Sequence, residues 1–228
     1  MMRPSRCFAA ACMIMLLSML LWGAAFRLNL PDSGITELKR VEDLETKKIT
    51  LNYAWGKEDE SGIRFESSDE TDPYGVASAA CIAVVSATGN IHQTAASIGQ
   101  EVVIREIHRG DDTLKAGQTV YVYTYFGFLP VEGRIEYFNT LNLMYPGSDY
   151  LIFMDASPLN DYQTNQTYIL KSAYFGYVKI KHADTPTLNM NYRDYNFCEL
   201  TEYEFFSTSD AITGTLNRAL EDLLKQYL

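Results

Sequence analysis

Between Cys81 and Lys181 the chain advances in short segments whose side chains alternate with a period of two, and this pattern restricts the fold more than any other feature. "TVYVYTY", from Thr119 to Tyr125, is the cleanest case. Successive side chains of a strand point to opposite faces, so Val120, Val122 and Thr124 share the core face and Tyr121, Tyr123 and Tyr125 share the other. "CIAVVSA", from Cys81 to Ala87, is apolar on both faces, as a central strand is, and Gly89-Asn90 reads as its end. "EVVIREI" places Val102 and Ile104 on one face, but its next apolar residue, Ile107, is out of step by one. A bulge near Arg105-Glu106 restores the register and bends the strand, as closing a barrel requires. "DYLIFMD" (149 to 155) and "AYFGYVKIK" (173 to 181) predict two further strands. The 16 tyrosines against 2 tryptophans suit strands and sheet surfaces.

The period changes at the end of the chain. In "SDAITGTLNRALEDLLKQYL" the residues Ile212, Leu216, Ala219, Leu220, Leu223, Leu224 and Tyr227 share one helical face. Asn217, Arg218, Glu221, Asp222 and Lys225 share the polar face, and Ser209 or Asp210 is the expected N-cap. Ahead of the barrel pattern, "ITELKRVEDLETKK" predicts a short helix and "ITLNYAW" a strand from Ile49 to Trp55. The acidic stretch "KEDESGIRFESSDETDP" lacks the ligand spacing and central glycine of a calcium loop and reads as a solvated linker. The expected organisation is a leader over 1–26, a helix-and-strand segment with the acidic linker over 27–76, and a barrel with a terminal helix over 77–228.

Arg3 and Arg6 precede a run from Cys7 to Phe26 without a single charge. Those 20 residues make a helix about 30 Å long, the thickness of a bilayer core. The basic flank keeps the start inside and sends the remainder out, so the protein is expected outside the cytoplasm. Gly23 and Ala25 allow a signal-peptidase cut before Phe26, while the length of the run suits an uncleaved membrane anchor; both outcomes stay open. Beyond the leader the cysteines are Cys81 and Cys198, which either form one bridge or remain two buried thiols. A net charge of −10 with no basic cluster opposes nucleic-acid binding.

The stretch "REIHRGDDTLKAGQTV" contains Arg109-Gly110-Asp111, where one strand must end and the next begin. A turn that uses Gly110 for its backbone freedom and Asp111 and Asp112 for local hydrogen bonds explains the tripeptide without an adhesion receptor. With "CIAVVSATGN" before it and "YPGSDYLIFM" after it, this run resembles small secreted proteins of Gram-positive bacteria. It is also similar to the netrin-type domain, which includes the tissue inhibitors of metalloproteinases. The matching positions are Arg109-Gly110-Asp111, Leu114-Lys115, Gly117, Gly147, Tyr150-Leu151 and Phe153, within residues 80 to 180. The resemblance implies a mainly β fold, a small OB-like barrel. It does not carry over metalloproteinase inhibition, because no cysteine stands at the mature N-terminus and the disulfide frame is missing.

The three histidines, His92, His108 and His182, show no ligand spacing, and the sequence implies neither metal nor cofactor. No nucleophile elbow or phosphate-cradling loop is present. The face carrying Tyr121, Tyr123 and Tyr125 is the candidate ligand surface, with the alternative that the terminal helix or the strand from Ile49 to Trp55 covers it. The expected function is a non-catalytic binding module of the bacterial envelope whose partner is a protein, a peptide or a glycan. The rival is an envelope hydrolase with a spatially assembled site, for which a pocket joining His108 or His182 to a carboxylate and a serine is the requirement.

Overall fold

The computed structural model of the chain describes residues 38–52, 72–94, 97–110, 112–124, 127–131, 134–138, 140–157, 166–188 and 194–228. The leader, Trp55, most of the acidic linker, Asp111 and Tyr125 lie outside them. Among the described residues no helix is long and apolar enough to cross a membrane.

The described strands are β1 (Lys48–Leu51), β2 (Cys81–Gln93), β3 (Ile98–Arg109), β4 (Thr119–Tyr123), β5 (Phe128–Val131), β6 (Arg134–Tyr137), β7 (Asp149–Ala156), β8 (Thr167–Leu170), β9 (Tyr177–Lys179) and β10 (Asp194–Asn196). They form two sheets. The larger has the order β2-β3-β4-β8-β7-β9, and β2 also pairs with β7. That extra pairing closes β2, β3, β4, β8 and β7 into a five-stranded barrel in which β4 and β8 are the parallel pair. The smaller sheet has the order β10-β1-β6-β5. β1, which precedes the acidic stretch, lies between β10 and β6, and the described residues belong to one compact unit.

The bulge expected near Arg105-Glu106 is present. Val85 pairs with Ile104 and Val84 with Glu106, so Arg105 is the extra residue, and a second shift follows one step on. β2 differs from expectation at its far end. It continues through Gly89-Asn90 to Gln93, with a register break between Ala87 and Ile91. Gly89 sits there at φ +90, a left-handed conformation that allows the strand to bend and carry on. Consequently one hairpin spans two cores. Its base, with Val85, Val102 and Ile104, packs in the barrel core. Its tip, with Ile91 and Ile98, packs beside Leu44, Ile135 and Phe206 in the core of the small sheet.

The strand expected over "AYFGYVKIK" is shorter: residues 173–175 form a turn, and only Tyr177–Lys179 is extended. The Ser172 hydroxyl accepts from the backbone N–H groups of Tyr174 and Phe175, each at 3.1 Å, and this side-chain bonding competes with a ladder. The short helix expected near Val41 is a 3-10 helix over Val41–Thr46.

The terminal helix runs over Asp210–Tyr227, and the Ser209 side chain caps it by accepting from the Ile212 N–H. Ile212, Leu216, Ala219, Leu220 and Leu223 bury against the barrel, and Tyr227 meets Phe153 edge-on with ring centroids 5.2 Å apart. Asn217 departs from its expected place on the polar face. It is buried because its amide serves another segment, as described below.

No bridge joins Cys81 to Cys198. Cys81 is buried in the barrel core at the start of β2, whereas Cys198 is a free, exposed thiol on a 3-10 helix over Phe197–Leu200.

Candidate functional site

The tyrosine row on β4 is not an open platform. Val120 and Val122 face the barrel core as expected, and Thr124 is buried. Tyr121 is half-buried beside Glu101, while Tyr123 is only 6% exposed. The β2–β3 hairpin lies against Tyr123. Its ring lies over Gly99, the residue opposite it on β3, where an added Cβ would stand 2.6 Å from the ring. Its hydroxyl is 2.6 Å from His92 Nδ1. A glycine opposite an aromatic residue leaves room for the ring to lie flat on the strand, which removes it from solvent. Tyr125 lies outside the described residues.

The turn after β3 is likewise tied down. The Arg109 guanidinium donates to the backbone carbonyls of Ala77 and Ala79. The glycine with a left-handed backbone in this connection is Gly117 at φ +83 and not Gly110. Gly110 is small for a different reason, because a Cβ there would crowd Ile107 and Leu114 at 3.2 and 3.3 Å.

A concave site does form elsewhere, and three buried amides build it. Irregular chain must find partners for its backbone polar groups, and here side chains supply them. Gln100 on β3 donates through Nε2 to the Met144 carbonyl (2.9 Å) and accepts from the Met144 N–H (3.0 Å). Asn142 donates to the carbonyls of Leu200 (2.7 Å) and Tyr203 (2.8 Å) and accepts from the Leu143 N–H (2.8 Å). Asn217, on the terminal helix, donates to the Thr185 carbonyl and accepts from its N–H, both at 3.1 Å. Three connecting segments are thereby fixed around the outer end of β9.

They border a half-open cavity of about 430 Å³. Tyr150 comes from β7 and Tyr177 and Lys179 from β9; Leu143 and Tyr145 come from the segment before β7. Lys181 and Asp184 follow β9, and residues 201 to 204 complete the wall. The tyrosines support one another. The Tyr150 hydroxyl accepts from the Tyr145 N–H at 2.8 Å, and the rings of Tyr150 and Tyr177 meet edge-on at 5.5 Å. Burial pushes the Tyr150 phenol up to about 12 and raises those of Tyr145 and Tyr177 well above the ordinary value, so all three remain neutral at physiological pH. The Tyr177 hydroxyl is buried without a hydrogen-bond partner.

His182 lies directly behind this wall. Its side chain is 5% exposed, and Nδ1 stands 3.0 Å from Glu204 Oε2. Burial works against the imidazolium, but the Glu204 carboxylate, helped by Asp184 and Glu221, outweighs it and raises the pKa above the ordinary 6.5. A folded-state pKa above the unfolded one means that the pair stabilises fully below pH 6.5, and that this contribution fades as pH rises through the raised value. Thermal melts between about pH 5 and pH 9 are therefore expected to show a decline on the alkaline side that His182→Gln flattens. Parallel profiles for the two proteins would show that the pair is not proton-linked.

His108 is exposed at the end of β3, apart from this site. Among the described residues no group of three or more His, Cys, Asp or Glu is placed to hold a metal ion. Tyr145, Tyr150, Tyr177 and Tyr203 come from four separate segments, and nothing in their spacing announced that they converge. Comparison with protein-family models and with curated proteins finds no match to this chain.

Proposed function

We propose that the chain is an exported, non-catalytic binding module of the bacterial envelope, built on an OB-like barrel of the netrin type, that takes its ligand in the tyrosine-lined cavity. The cavity carries this reading: it is held open by packed, hydrogen-bonded residues, and aromatic walls with a few polar groups are how small ligands are received. The strand order of the barrel, with one parallel pair closing it, supports the OB-like reading. So do the buried positions Leu114, Tyr150, Leu151 and Phe153 of the netrin-like pattern. Export rests on the chargeless run from Cys7 to Phe26, which also supplies a membrane attachment if it is not removed. The partner is an envelope protein, peptide or glycan, and the net charge of −10 disfavours nucleic acid.

The hydrolase reading has one observation in its favour, the His182–Glu204 pair beside the cavity. It lacks a nucleophile. The described lining residues include no serine or cysteine, and the Thr201 hydroxyl is engaged with the Cys198 carbonyl at 3.0 Å. The binding reading is tested by capturing partners from envelope extracts on the full chain and on Tyr203→Ala, with mass spectrometry of the eluate. The partner is expected to be depleted about tenfold or more on the variant, as for an aromatic anchor, while a cooperative melt shows that the variant, which also loses the packing of Tyr203 on Phe206, is still folded. Equal recovery on both would overturn it.

A further inference from the structure

We infer that the cavity receives a short peptide of two or three residues with both termini free. This rests on the reading of the cavity as the ligand seat and names what sits in it. The observation is a pattern of charge. Lys179 and Lys181 line the cavity, as do Asp184 and Glu202, and among the described residues none of the four forms an ion pair.

The frame holds the chain at or beside three of these residues. Lys179 is fixed by the pairing of β9 with β7, opposite Tyr150. Asp184 precedes Thr185, which Asn217 clamps on both backbone groups. Glu202 precedes Tyr203, whose carbonyl Asn142 holds. A cavity bordered by charges of both signs is complementary to a ligand that itself carries both. A free peptide places its carboxylate on Lys179 and Lys181 and its ammonium on Asp184 and Glu202. A simple anion would meet two carboxylates, and a neutral sugar would make no use of the charges of either sign. Size agrees with this choice. Two or three extended residues span about 7–10 Å, and about 430 Å³ is at the small end of ligand cavities.

The test is calorimetric titration of the purified full chain with trialanine, N-acetyl-trialanine, trialanine amide and the neutral disaccharide chitobiose. Trialanine is expected to bind, and each cap to weaken it about tenfold or more. Lys179→Gln combined with Lys181→Gln should weaken trialanine and abolish the penalty of the amide cap. Glu202→Gln should abolish the penalty of the acetyl cap, as a double-mutant cycle requires. Absence of trialanine binding, capped peptides that bind equally, or chitobiose that binds as tightly would each overturn the inference. If any of these occurs while partner capture still depends on Tyr203, the ligand class is wrong and the seat stands. If capture does not depend on Tyr203, the seat itself is wrong.

Discussion

Phe153→Ala is expected to lower stability by about 3–5 kcal/mol and the melting temperature by roughly 6–20 °C. Phe153 is 0% exposed and sits in the middle of β7, the strand that binds the barrel to everything around it. β7 pairs with β2 along one side and with β8 and β9 along the other. The Phe153 N–H donates to the Gly176 carbonyl at 2.9 Å, and its own carbonyl accepts from the Lys171 N–H at 2.8 Å. These backbone bonds survive truncation, so the local chain cannot collapse into the vacated space. The ring also meets Tyr227 at the end of the terminal helix, and its loss leaves a void between layers rather than a dent at the surface. Calorimetric melts of wild type and variant measure the effect. A drop of only 1–2 °C would mean that the helix does not pack over this strand in solution.

The sequence made β4, β7, the bulge at Arg105 and the terminal helix legible because each depends on its own local pattern. A run such as "DYLIFMD" is buried on both faces whatever lies beside it, and the one-residue phase slip at Ile107 can be absorbed only by a bulge. Other features depend on partners far along the chain. β8, "TYIL", is four residues long and carries no turn signature of its own; β4 and β7 on either side make it a strand. "AYFGYVKIK" reads as continuous alternation, but the Ser172 hydroxyl captures the next two N–H groups and turns the first half. Asn217 reads as polar and therefore exposed, yet a buried amide that bonds both groups of Thr185 is as satisfied as one in water.

The same distinction explains the candidate site. Alternation placed Tyr121 and Tyr123 on one face correctly, but whether that face is open depends on Gly99 and His92 across the sheet. The cavity was illegible for a stronger reason. Gln100, Asn142 and Asn217 are unremarkable in the sequence, and each acts on a segment between 32 and 61 residues away. Their function is purely tertiary, and only coordinates reveal it.

Gly176→Ala should cost about 2–4 kcal/mol despite adding a single methyl group. A Cβ at this position would stand 2.5 Å from the Ser172 carbonyl oxygen and 3.0 Å from both Cβ and Cδ1 of Leu170. The first obstacle is backbone, and that backbone is held by the bonds from Tyr174 and Phe175 to the Ser172 hydroxyl. Relief must therefore come from Gly176 itself, whose carbonyl accepts from Phe153. Overpacking of about 1–3 kcal/mol is joined by a weakened ladder bond worth about 1 kcal/mol. Gly214→Ala is the matched control, since nothing lies within 4 Å of its added Cβ and it occupies an exposed position in the terminal helix. There the same methyl group should stabilise by about 0.5–1 kcal/mol. Opposite signs from one chemical change would isolate the cause as the tight approach of the 172–176 turn to itself. Because Tyr177 and Lys179 follow directly on β9, any movement that accommodates the alanine also moves one wall of the cavity, so binding of the proposed peptide ligand should weaken together with the fall in melting temperature.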